Sequence, residues 1–251
     1  MDILYIVVPC YNEEECLPRT APLFLAKLKS LTEKGLCDEQ SRILLVNDGS
    51  GDATWTLMQQ LHAQDGHFIA LDLEPNGGHQ KAVMAGLRDA MTRADVTISI
   101  DADLQDDINA MDEMLEAYHK GAALVCGVRR SRSTDKFLKR FTARAYYWLM
   151  NVCGAKLIFD HADYRLMSRE AVEKLMHFHT EHLFLRGMIT RLGLPWEKVY
   201  YDRAERMAGE SKYTLKKMLG LARDGFRCGK MKPEAKLRPE DPRIAERLYG
   251  E

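Results

Sequence analysis

The sequence predicts an α/β fold with a doubly wound, mostly parallel central sheet and helices on both faces. Three observations carry this expectation. Short β-branched runs recur along the first half of the chain, they are apolar throughout rather than alternating, and helical patterns separate them. A strand that is apolar on both sides fits a parallel sheet covered by helices. Parallel neighbours need crossovers of helix length, which the separating patterns supply.

Strands are expected over residues 3–8, 43–46, 68–73, 96–100 and 122–128, with helices over 14–34, 52–64, 80–93 and 107–120. Past residue 128 the pattern changes. Residues 129–150 read as a basic, then aromatic, helical stretch; strands follow at 163–168 and 196–202, and a last helix at 211–226. With no repeat and no low-complexity linker, one domain is expected over 1–228. The polar remainder, 229–251, holds Pro233, Pro239 and Pro242 and reads as a loosely held tail.

A length of 251 residues suits one large domain. An apolar fraction of 46% with 29% charged residues excludes a disordered or fibrous chain. The 36 basic and 37 acidic residues leave a formal charge of −1, so no overall field recruits nucleic acid. Cys10, Cys16, Cys37, Cys126, Cys153 and Cys228 form no C-x-x-C pair and read as reduced thiols, not a disulfide framework or zinc site. The first apolar run lacks a basic flank and ends at Pro9, too short for a signal peptide. No stretch approaches the roughly 18 apolar residues of a membrane span. A cytoplasmic location is expected.

In a doubly wound sheet, ligands bind beyond the carboxyl ends of the strands. The residues found there are Pro9-Cys10-Tyr11-Asn12-Glu13, Asn47-Asp48-Gly49-Ser50-Gly51-Asp52, Glu74-Pro75-Asn76-Gly77-Gly78-His79-Gln80-Lys81 and Asp101-Ala102-Asp103-Leu104-Gln105-Asp106-Asp107. Each alone is a turn with a helix cap; four at one edge mark a site. Asp101 and Asp103, at i and i+2, leave a strand pointing the same way, and the Gln105 amide can join them if the chain curls. Two unpaired carboxylates repel and raise each other's pKa. A divalent cation, Mg²⁺ or Mn²⁺ shared with substrate phosphates, removes the conflict. Rival chemistries lack their motifs: no G-x-x-x-x-G-K-[ST], no G-x-G-x-x-G after the first strand, and no G-x-S-x-G. His161 and His182 read as surface or polar-core residues.

The three acidic and polar segments after the first, second and fourth strands resemble the motifs of family 2, GT-A-fold glycosyltransferases. Asp163-Tyr164-Arg165-Leu166-Met167-Ser168 and Arg206-Met207-Ala208-Gly209-Glu210-Ser211-Lys212-Tyr213 resemble the polyprenyl-phosphate branch, which contains bactoprenol glucosyltransferases and dolichyl-phosphate mannose synthases. The resemblance spans about residues 3–228. It implies that Pro9, Tyr11 and Glu13 line the nucleobase and ribose pocket, with Asp48 on the uracil side. It also implies that Gly78 and Lys81 approach the ribose or diphosphate, and that Asp101, Asp103 and Gln105 hold metal and diphosphate. Asp163 and Arg165 are implied near sugar and acceptor. Arg206, Ser211 and Lys212 would close over the diphosphate, and Arg129 and Arg140 would meet the acceptor phosphate.

The glucosyl branch usually continues into two membrane-spanning helices after the Ser-Lys-Tyr segment, whereas this chain stays polar. Charge is what remains for a membrane. Seven basic residues (Arg129, Arg130, Arg132, Lys136, Lys139, Arg140 and Arg144) stand with one acid, Asp135, ahead of Tyr146, Tyr147 and Trp148. A second basic stretch runs over 216–238. Such patches draw anionic lipid, and a basic aromatic helix suits an interface. The expectation is therefore an inverting transferase moving a hexose, from UDP-glucose, to a polyprenyl phosphate at the cytoplasmic face of the membrane. It would reach the membrane by peripheral contact or through a small membrane-spanning partner. The alternatives are a GDP-mannose donor, a protein or polysaccharide hydroxyl as acceptor, and a non-catalytic nucleotide-sugar binding module. Homo-oligomerisation is left open.

Overall fold

The computed structural model describes residues 1–130, 161–178, 183–203, 234, 236–241 and 243–249. The expected helices over 129–150 and 211–226 fall almost wholly outside them.

Eight strands form one sheet in the order β7-β5-β6-β4-β1-β2-β3-β8. They are β1 (Leu4–Cys10), β2 (Arg42–Asp48), β3 (Phe68–Leu73), β4 (Val96–Ser99), β5 (Leu124–Arg129), β6 (His161–Ser168), β7 (Trp196–Tyr201) and β8 (Ile244–Leu248). β4, β1, β2 and β3 run parallel, each linked to the next in sequence by a helix: α1 (Leu17–Glu33), α2 (Thr54–Gln64) and α3 (His79–Ala90). The continuous apolar runs behave as expected, because both faces are covered. Tyr5, Val7, Leu44 and Val46 pack against α3. Leu4, Ile6, Val8, Ile43 and Leu45 pack on the side of α1, α2 and α4 (Ala110–His119). On the α3 side, α5 (Arg169–Met176) and the short α6 (Leu185–Met188) complete the layer.

Two features were not expected. β6 inserts antiparallel between β4 and β5, so the sheet reverses direction there. The presumed loose tail supplies β8, which pairs antiparallel with β3 through Ala70–Leu248, Leu71–Arg247, Asp72–Glu246 and Leu73–Ile244. The expectation of a loosely held extension is thus corrected for residues 244–248. This strand is half-exposed and pairs on one side only, so it carries no continuous apolar run that sequence could reveal.

The chain order turns back beside β1: β2 and β3 lie on one side of it and β4 on the other. That reversal opens a crevice at the carboxyl ends of β1 and β4, where an α/β sheet takes its ligand.

Candidate active site

The first wall of the crevice is the turn after β1. Pro9 is buried within β1, and Tyr11 is 40% exposed at the rim. The turn is tied to the one after β2. The Asn12 N–H donates to Ser50 Oγ (3.0 Å), the Gly51 N–H to Asn12 Oδ1 (2.9 Å), and the Glu13 N–H to Thr54 Oγ1 (2.8 Å). Tyr11 and Glu13 therefore stand on a braced platform.

Asp48, at the end of β2, is nearly inaccessible and is fully engaged. Its Oδ1 accepts from the Gly77 N–H (3.0 Å) and Arg243 Nη1 (2.9 Å), and its Oδ2 from the Gly78 N–H (2.7 Å) and Asn76 Nδ2 (3.0 Å). The sequence pointed Asp48 at a nucleobase; in the structure its oxygens organise the 76–78 turn. Gly78 takes φ 92°, a conformation that favours glycine, and at Gly77 the Arg243 guanidinium occupies the place a Cβ would take, so a side chain there would displace it. The Gly78 amide is thereby committed to Asp48, while Lys81 lies half-buried in the first turn of α3.

The acidic rim follows β4. The antiparallel register pairs Ser99 with Arg165; continued two steps, it sets Asp101 opposite Asp163. His79, the first residue of α3, stands between them, with Nε2 3.7 Å from Asp101 Oδ1 and 3.9 Å from Asp163 Oδ2. The two carboxylates have opposite electrostatic surroundings. Partial burial, with 42% of the side chain still exposed, pushes the Asp101 pKa up; His79 pulls it down, but the Asp163, Asp106 and Asp103 carboxylates add to the rise. At Asp163 burial also acts upward, yet the Arg186 and Arg165 guanidiniums, with His79, outweigh it and hold the carboxyl well below its ordinary range. Arg186, on α6, is bidentate: Nε to Oδ1 at 3.3 Å and Nη2 to Oδ2 at 3.1 Å. Arg165 approaches from inside the sheet, wholly buried, with Nη2 on Asp163 Oδ1. It touches Asp163 rather than opening onto the crevice.

Asp103 sits half-buried in the same turn and accepts from the Gln105 N–H (3.2 Å). The Gln105 side-chain oxygen, the third expected metal ligand, accepts instead from Arg203 Nη2. Among the described residues, no three His, Cys, Asp or Glu side chains form a closed metal cage. The donor set still fits a hard cation bound partly by its ligand. Asp101 is a crowded carboxylate with too little positive charge beside it, and oxygens are what Mg²⁺ and Mn²⁺ prefer.

Arg129, expected to meet an acceptor phosphate, is committed to Asp106. Its Nε donates to Oδ1 (3.0 Å) and its Nη2 to Oδ2 (3.2 Å) of that buried carboxylate. Arg140, Arg206, Ser211 and Lys212 lie outside the described residues. Sequence reasoning missed His79, Arg186 and Arg243. The first lies inside a segment already singled out, but nothing in the local pattern marks the other two.

Sheet order, switch-point crevice and acidic rim are those of a GT-A glycosyltransferase domain. The chain belongs to glycosyl transferase family 2, whose model matches residues 5–176. It is 48% identical to the uncharacterized glycosyltransferase YkoT of Bacillus subtilis over 89% of this chain and 66% of that protein. It is 37% identical to a prophage bactoprenol glucosyl transferase homolog of Escherichia coli K12, over 88% of this chain and 70% of that one. This chain thus spans about two thirds of the length of these relatives. The fold is also that of a glucosyl-3-phosphoglycerate synthase of Mycobacterium tuberculosis crystallised with Mn²⁺, uridine-diphosphate and phosphoglyceric acid. That likeness has TM-score 0.57 and 16% identity, covering 99% of this chain and 89% of that one. Among the described residues, no helix is long and apolar enough to cross a membrane.

Proposed function

We propose that this domain transfers a hexose, from UDP-glucose, to the phosphate of a polyprenyl lipid with inversion at the anomeric carbon. The observation that carries this reading is the double ion pair on Asp163. A general base works best with a pKa near the working pH. A carboxylate held by two arginines is a weak base, and it is the rim carboxylate facing Asp101. A hydroxyl acceptor needs its proton removed. A phosphate monoester, with a second pKa of about 6, arrives already ionised.

In the proposed step an acceptor phosphate oxygen forms a bond to the anomeric carbon. The bond from that carbon to the diphosphate breaks, and the nucleoside diphosphate leaves with the electron pair. No proton has to move. Asp163, kept anionic and fixed in orientation by Arg186 and Arg165, positions the sugar and disfavours a second anion at the wrong face. Tyr11 and Glu13 flank the nucleoside, and Lys81 lies on the diphosphate side. Asp101 and Asp103 would hold a Mg²⁺ or Mn²⁺ whose charge offsets that of the leaving group. Arg140, Arg206, Ser211 and Lys212 enter on resemblance alone, as acceptor and diphosphate contacts. The names of the bactoprenol relatives support the lipid acceptor, and the uridine-diphosphate and Mn²⁺ of the mycobacterial synthase agree with the donor.

The test is a panel of labelled nucleotide sugars incubated with Mn²⁺ and a short polyprenyl phosphate. Organic-phase label from UDP-glucose, and much less from GDP-mannose, is the expected result. Label from GDP-mannose alone would replace the donor.

A further inference from the structure

Arg243 reaches the crevice from the far end of the chain, 195 residues beyond the carboxylate it meets. It is itself rigidly held. Asp241 accepts from its Nε (3.0 Å) and Nη2 (2.8 Å), leaving Nη1 for Asp48 Oδ1 (2.9 Å) and the Pro75 carbonyl (3.0 Å). The Arg243 carbonyl accepts from the Glu74 N–H (2.8 Å). Asp48 in turn holds the amides of Gly77 and Gly78 and the side chain of Asn76. The turn from Glu74 to Gly78 is therefore clamped at both ends, and the next residue is His79, which stands beside Asp101 and Asp163.

The charge balance makes the arginine more than an ornament of this turn. Asp48 is 3% exposed and Arg243 14%. A carboxylate that buried is costly without a counter-charge, and amide donors supply only partial charge. Among its contacts Arg243 is the cation. The rest of the strand anchors it: Leu73 pairs with Ile244, Arg247 reaches Asp89, and Tyr249 donates to Asp89 Oδ1 (2.5 Å).

We infer that Arg243 is a positioning residue of the donor site, through which the C-terminal strand fixes the 74–78 turn and so the place of His79 against the acidic rim. The kinetic part of this inference rests on the transferase reading; the structural part does not. A lysine can reach Asp48 or Asp241 but cannot replace the fork that meets both.

The experiment uses the full chain with Arg243→Gln, Arg243→Lys and Gly77→Ala, the last displacing the guanidinium without altering it. Hydrogen exchange is read at residues 76–80 and across the β3–β8 ladder, and KM and kcat are measured with UDP-glucose. Arg243→Gln should speed exchange at Gly77 and Gly78, and Gly77→Ala at Gly78, about tenfold or more, as loss of a charge-assisted hydrogen bond requires. Ladder amides should stay protected. KM for the nucleotide sugar should rise about tenfold with kcat changed far less, and lysine should recover part of both effects. Unchanged exchange at 77 and 78 overturns the inference. So does a fall in KM, which would make Arg243 a plug on Asp48 instead of a support. If the wild-type chain turns over no UDP-glucose, the functional reading fails while the exchange result still decides the positioning role.

Discussion

Arg186 lays its guanidinium along both oxygens of Asp163, 3.3 and 3.1 Å away, from a helix of one turn. That helix is tethered by the Leu185 N–H to Gln80 Oε1 (3.0 Å), so α3 and α6 together set the carboxylate's plane. Replacing Arg186 with Gln leaves only Arg165 and His79 against burial, so the Asp163 pKa must rise. A carboxylate whose pKa has risen loses its charge sooner on acidification. The ratio of variant to wild-type transfer rate is therefore expected to fall as the pH is lowered toward the ordinary carboxylate range. A ratio independent of pH would mean that Arg186 does not act through Asp163.

Asp103→Ala removes one of the two carboxylates proposed to hold the cation, from a turn outside the sheet. Calorimetry should show UDP binding that no longer responds to Mn²⁺, with the unfolding midpoint close to wild type. Unchanged Mn²⁺-dependent affinity would remove Asp103 from the metal site.

Arg129 tests stability rather than acceptor binding. Asp106 is 2% exposed, and taking its bidentate partner away strands a buried charge, at a cost of about 3 kcal/mol. Arg129→Gln should lower the denaturant midpoint accordingly, and adding Asp106→Asn should restore most of the loss. A variant as stable as wild type would return Arg129 to the pool of surface cations.

The basic stretch 129–144 is proposed to meet anionic lipid. Sedimentation with anionic liposomes at low salt, little with neutral ones, and release near about 0.5 M salt are expected, because screening shortens the reach of exposed charges to a few ångströms. Replacing Lys136, Lys139 and Arg140 with Glu should abolish binding. Binding that ignores both salt and these substitutions would point to a different surface.

The central sheet was legible because burial on both faces leaves β1 to β4 as continuous apolar runs, and because the residues that must face a ligand follow them directly. Asp101 and Asp103, just past the end of β4, were singled out for that reason. What escaped was long-range. The antiparallel insertion of β6 depends on pairing between distant strands, which a local pattern does not encode. Arg186 and Arg243 sit in unremarkable stretches and gain meaning only by meeting Asp163 and Asp48 across the fold. The same limit holds at Gln105 and Arg129: motif position gives a residue's neighbourhood but not the partners its side chain meets, here Arg203 and Asp106. β8 escaped because a short, half-polar edge strand looks like a tail.

The central claim is that the acceptor is a phosphate oxygen that needs no base. The direct measurement is a competition in one reaction: polyprenyl phosphate and the corresponding polyprenol at equal concentration, with labelled donor and Mn²⁺, followed by separation of the two glycolipids. Label confined to the polyprenyl-phosphate product is the expected result. Label on the polyprenol at a comparable rate would require an activated hydroxyl, and would contradict the reading of Asp163 as a locked, weakly basic carboxylate.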